Sequence, residues 1–187
     1  MSYSLVRHVT EAAPGGLALV QGLLNTRGTG SGAVDLFDNR TTAMEWLSAG
    51  LTEWGRRTSS TAREQKLAPG ELEKLRVLRQ LVLAYVAGDR DGIHLDVPIS
   101  ITASGDGELR TQPVGAGIHW LESAVWGEVL LAQQAHTLRR LKLCRNEACG
   151  TAFYDRSRNL SGVWHDVHTC GNSANLRAHR ARRKSAA

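Results

Sequence analysis

Cys144, Cys149, His165 and Cys170 are the side chains whose types and spacing best suit chemistry. They include every cysteine in the chain. Cys144 and Cys149 form a C-x4-C hook, and His165 and Cys170 repeat that gap fifteen residues further on. Thiolates and imidazoles are the donors that zinc prefers. Two short hooks joined by a longer loop suit a tetrahedral ion, because each hook fills adjacent corners while the loop crosses between them. His168 is a rival fourth donor, and three ordinary buried thiols are the alternative to any metal. Three cysteines cannot all pair, and a reducing compartment would keep them as thiols, so a disulfide framework is not expected.

The charge around this cluster points to a partner. From residue 138 onward eleven Lys and Arg face three acids, whereas in the rest of the chain fifteen acids face twelve bases. A mildly acidic body with a strongly basic end is the asymmetry expected when one end meets a polyanion. Nucleic acid is the leading partner, and an anionic membrane surface the lesser one. The segment ANLRAHRARRK after Ser173 reads as a short helix with Arg177, Arg180 and Lys184 on one side and Arg182 and Arg183 adjacent, while Leu176 packs back on the finger. Arginines can clamp phosphates or read guanine edges bidentately. Arg156 and Arg158 are further candidate phosphate contacts, with an internal ion pair to Asp155 as the alternative. A solvated basic tail without a specific partner is the other reading of the whole run.

An enzymatic reading finds no support in the motifs. Zinc deaminases pair an H-x-E with P-C-x-x-C, and neither is present; nor is a G-x-S-x-G, P-loop or G-x-G-x-x-G pattern, and GTGSG at 28–32 lacks a dinucleotide context. Four protein donors would close the site to water, so Glu147 is expected to face solvent and no catalysis is expected.

The elements that must hold these residues read as mainly α with one small antiparallel hairpin. A helical domain over 1–138 precedes a small zinc-binding domain over 139–187. With 187 residues, 42% of them hydrophobic, the chain can bury a real core. Leu17, Val20 and Leu24 recur at helical spacing. Thr42 and Glu45 form a capping box for a second helix that buries Met44, Leu47, Leu51 and Trp54. Leu72, Leu75, Leu78, Val82 and Val86 stripe a third helix, with Gly88 placed to cap its end. Ile93, Leu95, Val97, Ile99 and Ile101 alternate with polar residues as a strand, Pro98 makes it an edge strand, and SGDGE turns it into LRTQPV. A last helix with Ile118, Leu121, Val125, Val129 and Ala132 on one face runs from Ile118 to Leu141, almost into Cys144. No apolar run reaches the roughly 18 to 20 residues that span a bilayer, and the N-terminus has no signal-peptide core, so a cytoplasmic protein is expected. The scarcity of lysine beside arginine, alanine and glycine suggests a bacterial, GC-rich genome.

Trp46, Trp54, Trp120 and Trp126 fall in the helices flanking the hairpin, with His119 and Glu122 beside Trp120. They read either as core or as a cleft for a small-molecule effector.

Two resemblances add to this reading. Cys170-Gly171-Asn172-Ser173, the block FYDRSRN at 153–159, Trp164 and the ARR at 181–183 make residues 139–184 resemble the CGNR zinc-finger family. The family usually has cysteine where this chain has His165 and arginine where it has Ser173. The resemblance implies zinc held by Cys144, Cys149, His165 and Cys170, with one basic contact fewer. LLNT at 23–26 and DLFDNRTTAMEWL at 35–47 resemble the ABATE domain that precedes this finger in bacterial proteins described as stress-induced transcription regulators. The acid common three residues before the Asn-Thr pair is Gly22 here. Together they imply a DNA-binding, stress-responsive transcription regulator. The alternative is a zinc-stabilised interaction module or a dimerisation scaffold, with a homodimer as its partner state.

Overall fold

The computed structural model describes residues 10–28, 32–103, 105 and 107–185, and within the last helix the side chains of 177–181, 184 and 185 lie outside the described residues. So do the interior of the 28–32 loop and part of the turn after Ala103.

Helix α1, Leu17–Leu24, is buried on every side. A helix that is apolar all round belongs in the middle of a core, and α1 indeed touches α2 (Arg40–Thr58), α3 (Glu71–Ala87), α4 (Ile118–Gln134) and the second strand of the C-terminal hairpin. Its polar members are satisfied locally: Gln21 Oε1 accepts from the Ala13 amide at 2.6 Å, and Gln21 Nε2 donates to the Glu11 carbonyl at 3.1 Å.

The three outer helices follow the expected apolar spacing, with corrections at their ends. Leu47, Leu51 and Trp54 on α2 are buried, as are Leu75, Leu78 and Val82 on α3, whereas Met44, Leu72 and Val86 are half-buried. The cap of α2 is Asn39, whose side chain accepts from the Thr41 amide at 2.7 Å. Thr42 lies inside the helix, and its hydroxyl donates to the carbonyls of Leu36 and Asn39, so the Thr42–Glu45 capping box does not form. A backbone amide three residues ahead is unavailable to a residue already committed to the first turn. Gly88, with φ 92°, ends α3 as expected.

The hairpin is shorter than the alternation implied. β1, Ile99–Ala103, pairs antiparallel with β2, Leu109–Pro113, with Ile101 opposite Thr111. Residues 93–98 alternate in polarity but pair with no strand among the described residues, because β2 is only five residues long and no third strand there lies beside it. Pro98 has no N–H for a ladder and marks the limit of pairing. The open end is held to α4 instead: Ser123 Oγ donates to the Pro98 carbonyl at 2.6 Å and accepts from the Val114 amide at 2.9 Å.

Helix α4 stops at Gln134, seven residues short of the expected end at Leu141. His136, with φ 56°, reverses the chain, and a 3-10 turn, Leu138–Arg140, leads into β3, Leu141–Leu143. β3 pairs antiparallel with β4, Ala152–Tyr154. Leu138, Leu141 and Ala152 are buried in the same core as the helices, so this second hairpin is packed onto the body. No helix among the described residues is long and apolar enough to cross a membrane.

The C-cap residue of α1, Asn25, makes the two shortest bonds that fasten that packing, with Gln21 beside it. Asn25 Nδ2 donates to the Ala152 carbonyl at 2.9 Å, and Asn25 Oδ1 accepts from the Ala152 amide at 2.8 Å, both buried. Replacing Asn25 by alanine leaves the buried Ala152 amide unpaired and its carbonyl with only the longer bond from Gln21 Nε2 at 3.4 Å, and an unpaired buried amide costs about 1 to 3 kcal/mol. Urea denaturation of Asn25→Ala should therefore show a loss of about 2 kcal/mol or more; a change within error would mean that the hairpin is held by its apolar contacts alone.

Candidate metal centre

Cys144 follows β3 directly, and Cys149 sits on the turn that leads back to β4. That turn is closed by the Cys149 and Gly150 amides, which both donate to the Asn146 carbonyl, at 2.7 and 3.0 Å. Gly150 has φ 60°, and a Cβ there would stand 2.7 Å from the Arg27 guanidinium, which donates to the Gly150 carbonyl at 2.9 Å. The position therefore calls for glycine on both backbone and steric grounds.

The second hook is brought up by a loop folded around a buried acid. Asp155 accepts from Lys142 Nζ at 2.6 Å and from the Ser157 and Gly162 amides at 2.9 Å each. Burial works to raise its carboxyl, but Lys142 and those donors more than offset it and hold it well below the usual carboxylate range. The Arg145 amide then donates to the Val163 carbonyl at 2.9 Å, which sets the two hooks side by side. Asp166 caps a π-helical turn, Val167–Gly171, by accepting from the His168 amide at 2.7 Å, and Cys170 lies within that turn.

The four donor atoms of Cys144, Cys149, His165 and Cys170 all lie within 4.8 Å of one another. His165 Nδ1 is 3.4 Å from Cys149 Sγ and 3.5 Å from Cys170 Sγ. With Zn–S near 2.3 Å and Zn–N near 2.0 Å, the edges of a tetrahedron would be about 3.5 to 3.8 Å, so the arrangement fits zinc with little movement. Cys144 and Cys170 are buried, Cys149 and His165 half-buried, and His168 is exposed and outside the cluster. His165 thus takes the fourth place.

Polar groups around the sulfurs complete the site. Cys144 accepts from the backbone amides of His165 and Asn146, Asn146 Nδ2 donates to Cys170 Sγ at 3.4 Å, and the Thr151 hydroxyl stands 3.0 Å from Cys149 Sγ. Such outer partners orient the ligands and spread thiolate charge. Burial pushes the Cys144 thiol up to about 11 and lowers the His165 imidazole. A buried neutral imidazole is the form that ligates, while the buried thiols become thiolates beside a dication.

The basic residues fall into two groups. Arg156 is drawn back onto the body, its guanidinium 2.6 Å from Glu11 and donating to the Ala12 carbonyl at 2.9 Å, while Asp155 pairs with Lys142 and not with an arginine. Arg158 is exposed, as are Arg182 and Arg183 on helix α5, Asn172–Ser185. The side chains of Arg177, Arg180 and Lys184 lie outside the described residues. Leu176 is 50% exposed and does not pack back as expected. Glu147 is exposed.

The aromatic residues do not line one cleft. Trp46 packs edge-on to Phe37 at 5.4 Å and Trp126 edge-on to Tyr85 at 5.5 Å, while Trp54 meets Trp120 at 5.5 Å; all four tryptophans are buried. His119 and Glu122 pair with each other at 3.1 Å on the outside of α4. Large aromatics at helical spacing mostly serve the core here. Trp54 borders a cavity beside the β1–β2 hairpin, and Trp120 borders a separate one with Ser100 and Gln112. Sequence reasoning missed Asn25, Arg27, Lys142 and Glu128; the first two carried a signal only as polar residues closing an apolar run.

With this geometry in place, comparison with protein families gives a match over residues 140–183 to the CGNR zinc finger. Among curated proteins, none matches the chain. Family match and donor cluster agree on a zinc-binding C-terminal region.

The buried Asp155 gives a pH-dependent expectation. Its depressed carboxyl contributes stability that is present above the ordinary carboxylate pKa of about 3.9 and is lost as pH falls through the lower folded value. Asp155→Asn should cost about 2 kcal/mol at pH 7, since Lys142 loses its one anionic partner among the described residues and keeps only the Leu160 and Gly162 carbonyls. Denaturation curves of the native protein and variant at pH 7 and in strong acid check this: the gap should narrow at low pH, and a gap independent of pH would assign the cost to packing.

Proposed function

We propose that the protein is a zinc-containing DNA-binding protein, a bacterial, stress-responsive transcription regulator whose helical body receives a small-molecule signal. The observation that supports it best is the continuity between the metal site and the basic helix. Cys170 lies in the turn that runs straight into α5, a helix of 14 residues carrying Arg177, Arg180, Arg182, Arg183 and Lys184 and no acid. Zinc would fix the start of this helix, so its charge would meet a duplex in one orientation and not as a solvated tail. Guanidinium groups suit both phosphate contacts and guanine edges. Catalysis has no place in this reading, because four protein donors would fill the coordination sphere.

A second reading, a zinc-stabilised interaction module or dimerisation scaffold, draws on the exposed Val167 and Leu176 beside the same helix, 62% and 50% accessible. Selection on random double-stranded DNA by the zinc-loaded protein separates the two. Enrichment of a common sequence with salt-sensitive affinity supports the regulator; no retention of any DNA at low salt rejects it in favour of the module.

A further inference from the structure

Glu128 on α4 is only 8% exposed and no Lys, Arg or His pairs with it among the described residues. Among the described residues its one hydrogen-bond donor is the Trp54 indole, whose Nε1 reaches Oε1 at 2.7 Å, and no donor reaches Oε2. The carboxylate lies against Gly16 so closely that any Cβ at residue 16 would collide with it, so the backbone has been kept clear for this acid. Buried carboxylates are costly unless paired, and burial pushes this one above its ordinary pKa.

The acid lines a cavity of about 350 Å³ together with Trp54, Ile101, Leu109 and Leu131, and with Thr58 and Arg110. Arg110 is already engaged, 2.6 Å from Glu108. Ile101 and Leu109 stand 70% and 72% exposed on facing strands, and Leu131 45%. A volume of this size, mostly apolar walls and one buried polar group are the attributes of a small-molecule site.

We propose that this cavity binds an amphipathic organic amine, its ammonium donating to Glu128 Oε2 and its apolar body covering Ile101, Leu109 and Leu131. A cation offsets the cost of the buried charge, whereas an anion adds to it. The apolar part removes from water hairpin surface that stays exposed among the described residues. The site supplies a location for the effector in the proposed function and rests on that reading only for its regulatory meaning.

The test is calorimetric titration of the zinc-loaded, full-length protein with 4-phenylbutylamine, 4-phenylbutanol and 4-phenylbutyrate. The amine should bind best, and the carboxylate worst. Glu128→Gln retains an acceptor for Trp54 and so should fold, yet it should weaken the amine tenfold or more while leaving the alcohol nearly unchanged. Leu131→Ala, at an exposed position, should weaken amine and alcohol together. Absence of amine binding, an alcohol that binds as tightly as the amine, or an amine indifferent to Glu128→Gln each overturns the proposal. Amine binding through Glu128 without any change in DNA affinity upholds the site and removes its sensing role.

Discussion

Cys149→Ala, or prolonged chelation of the native protein, is expected to unfold the region from β3 through α5 and to lower the melting temperature of the whole chain. The C-terminal region is too small to bury much apolar surface by itself, and Leu138, Leu141 and Ala152 belong to the core it shares with the body. Structural zinc contributes about 10 kcal/mol or more to folding of small fingers, several times the hydrogen-bond and ion-pair terms in the rest of the site. The loss should therefore exceed that of Asn25→Ala or Asp155→Asn. Thermal unfolding followed by circular dichroism, with and without chelator, reads it directly. Readdition of zinc should restore the native protein and not the variant. A melting curve untouched by chelation would mean that the thiols are simply buried.

The second large effect concerns α5. Arg180→Ala combined with Arg183→Ala should weaken DNA binding on the order of tenfold to a hundredfold, while the melting temperature stays the same because Arg183 is exposed and the helix keeps its length. Each lost phosphate contact flattens the log–log salt dependence by about 0.9, so the pair should reduce the slope by nearly two. A fall in affinity confined to one sequence, with the slope preserved, would place these arginines on base edges. No fall at all would remove α5 from the interface.

The helices and the donor set were legible because both are written in local spacing. Leu75, Leu78 and Val82 announce a helix whatever surrounds them, and two equal hooks announce a metal whatever separates them. What escaped were features decided by distant partners. The alternation of Ile93, Leu95 and Val97 has the period of a strand, but pairing needs a neighbour, and β2 ends before reaching them. Thr42 has a capping residue's chemistry, yet Asn39 lies nearer the true helix start. The end of α4 turned on His136 adopting a left-handed backbone, a conformation no periodicity forecasts. The tryptophans could be read as core, the reading their helical spacing favours, or as a cleft, and only packing decides. Asn25 and Arg27 reach residues more than 120 positions away, so their roles in holding Ala152 and Gly150 have no local signature. Glu128 has no local signature either, because its burial depends on Trp54, 74 positions away.

Zinc-edge X-ray absorption on the purified protein, combined with metal quantification, tests the central claim most directly. One zinc per chain is expected, with three sulfur scatterers near 2.3 Å and one nitrogen near 2.0 Å. His165→Ala should lose the nitrogen shell or the metal, and His168→Ala should keep both. A protein that purifies without zinc, a shell dominated by oxygen and nitrogen, or metal lost from His168→Ala and retained by His165→Ala would contradict the site formed by Cys144, Cys149, His165 and Cys170.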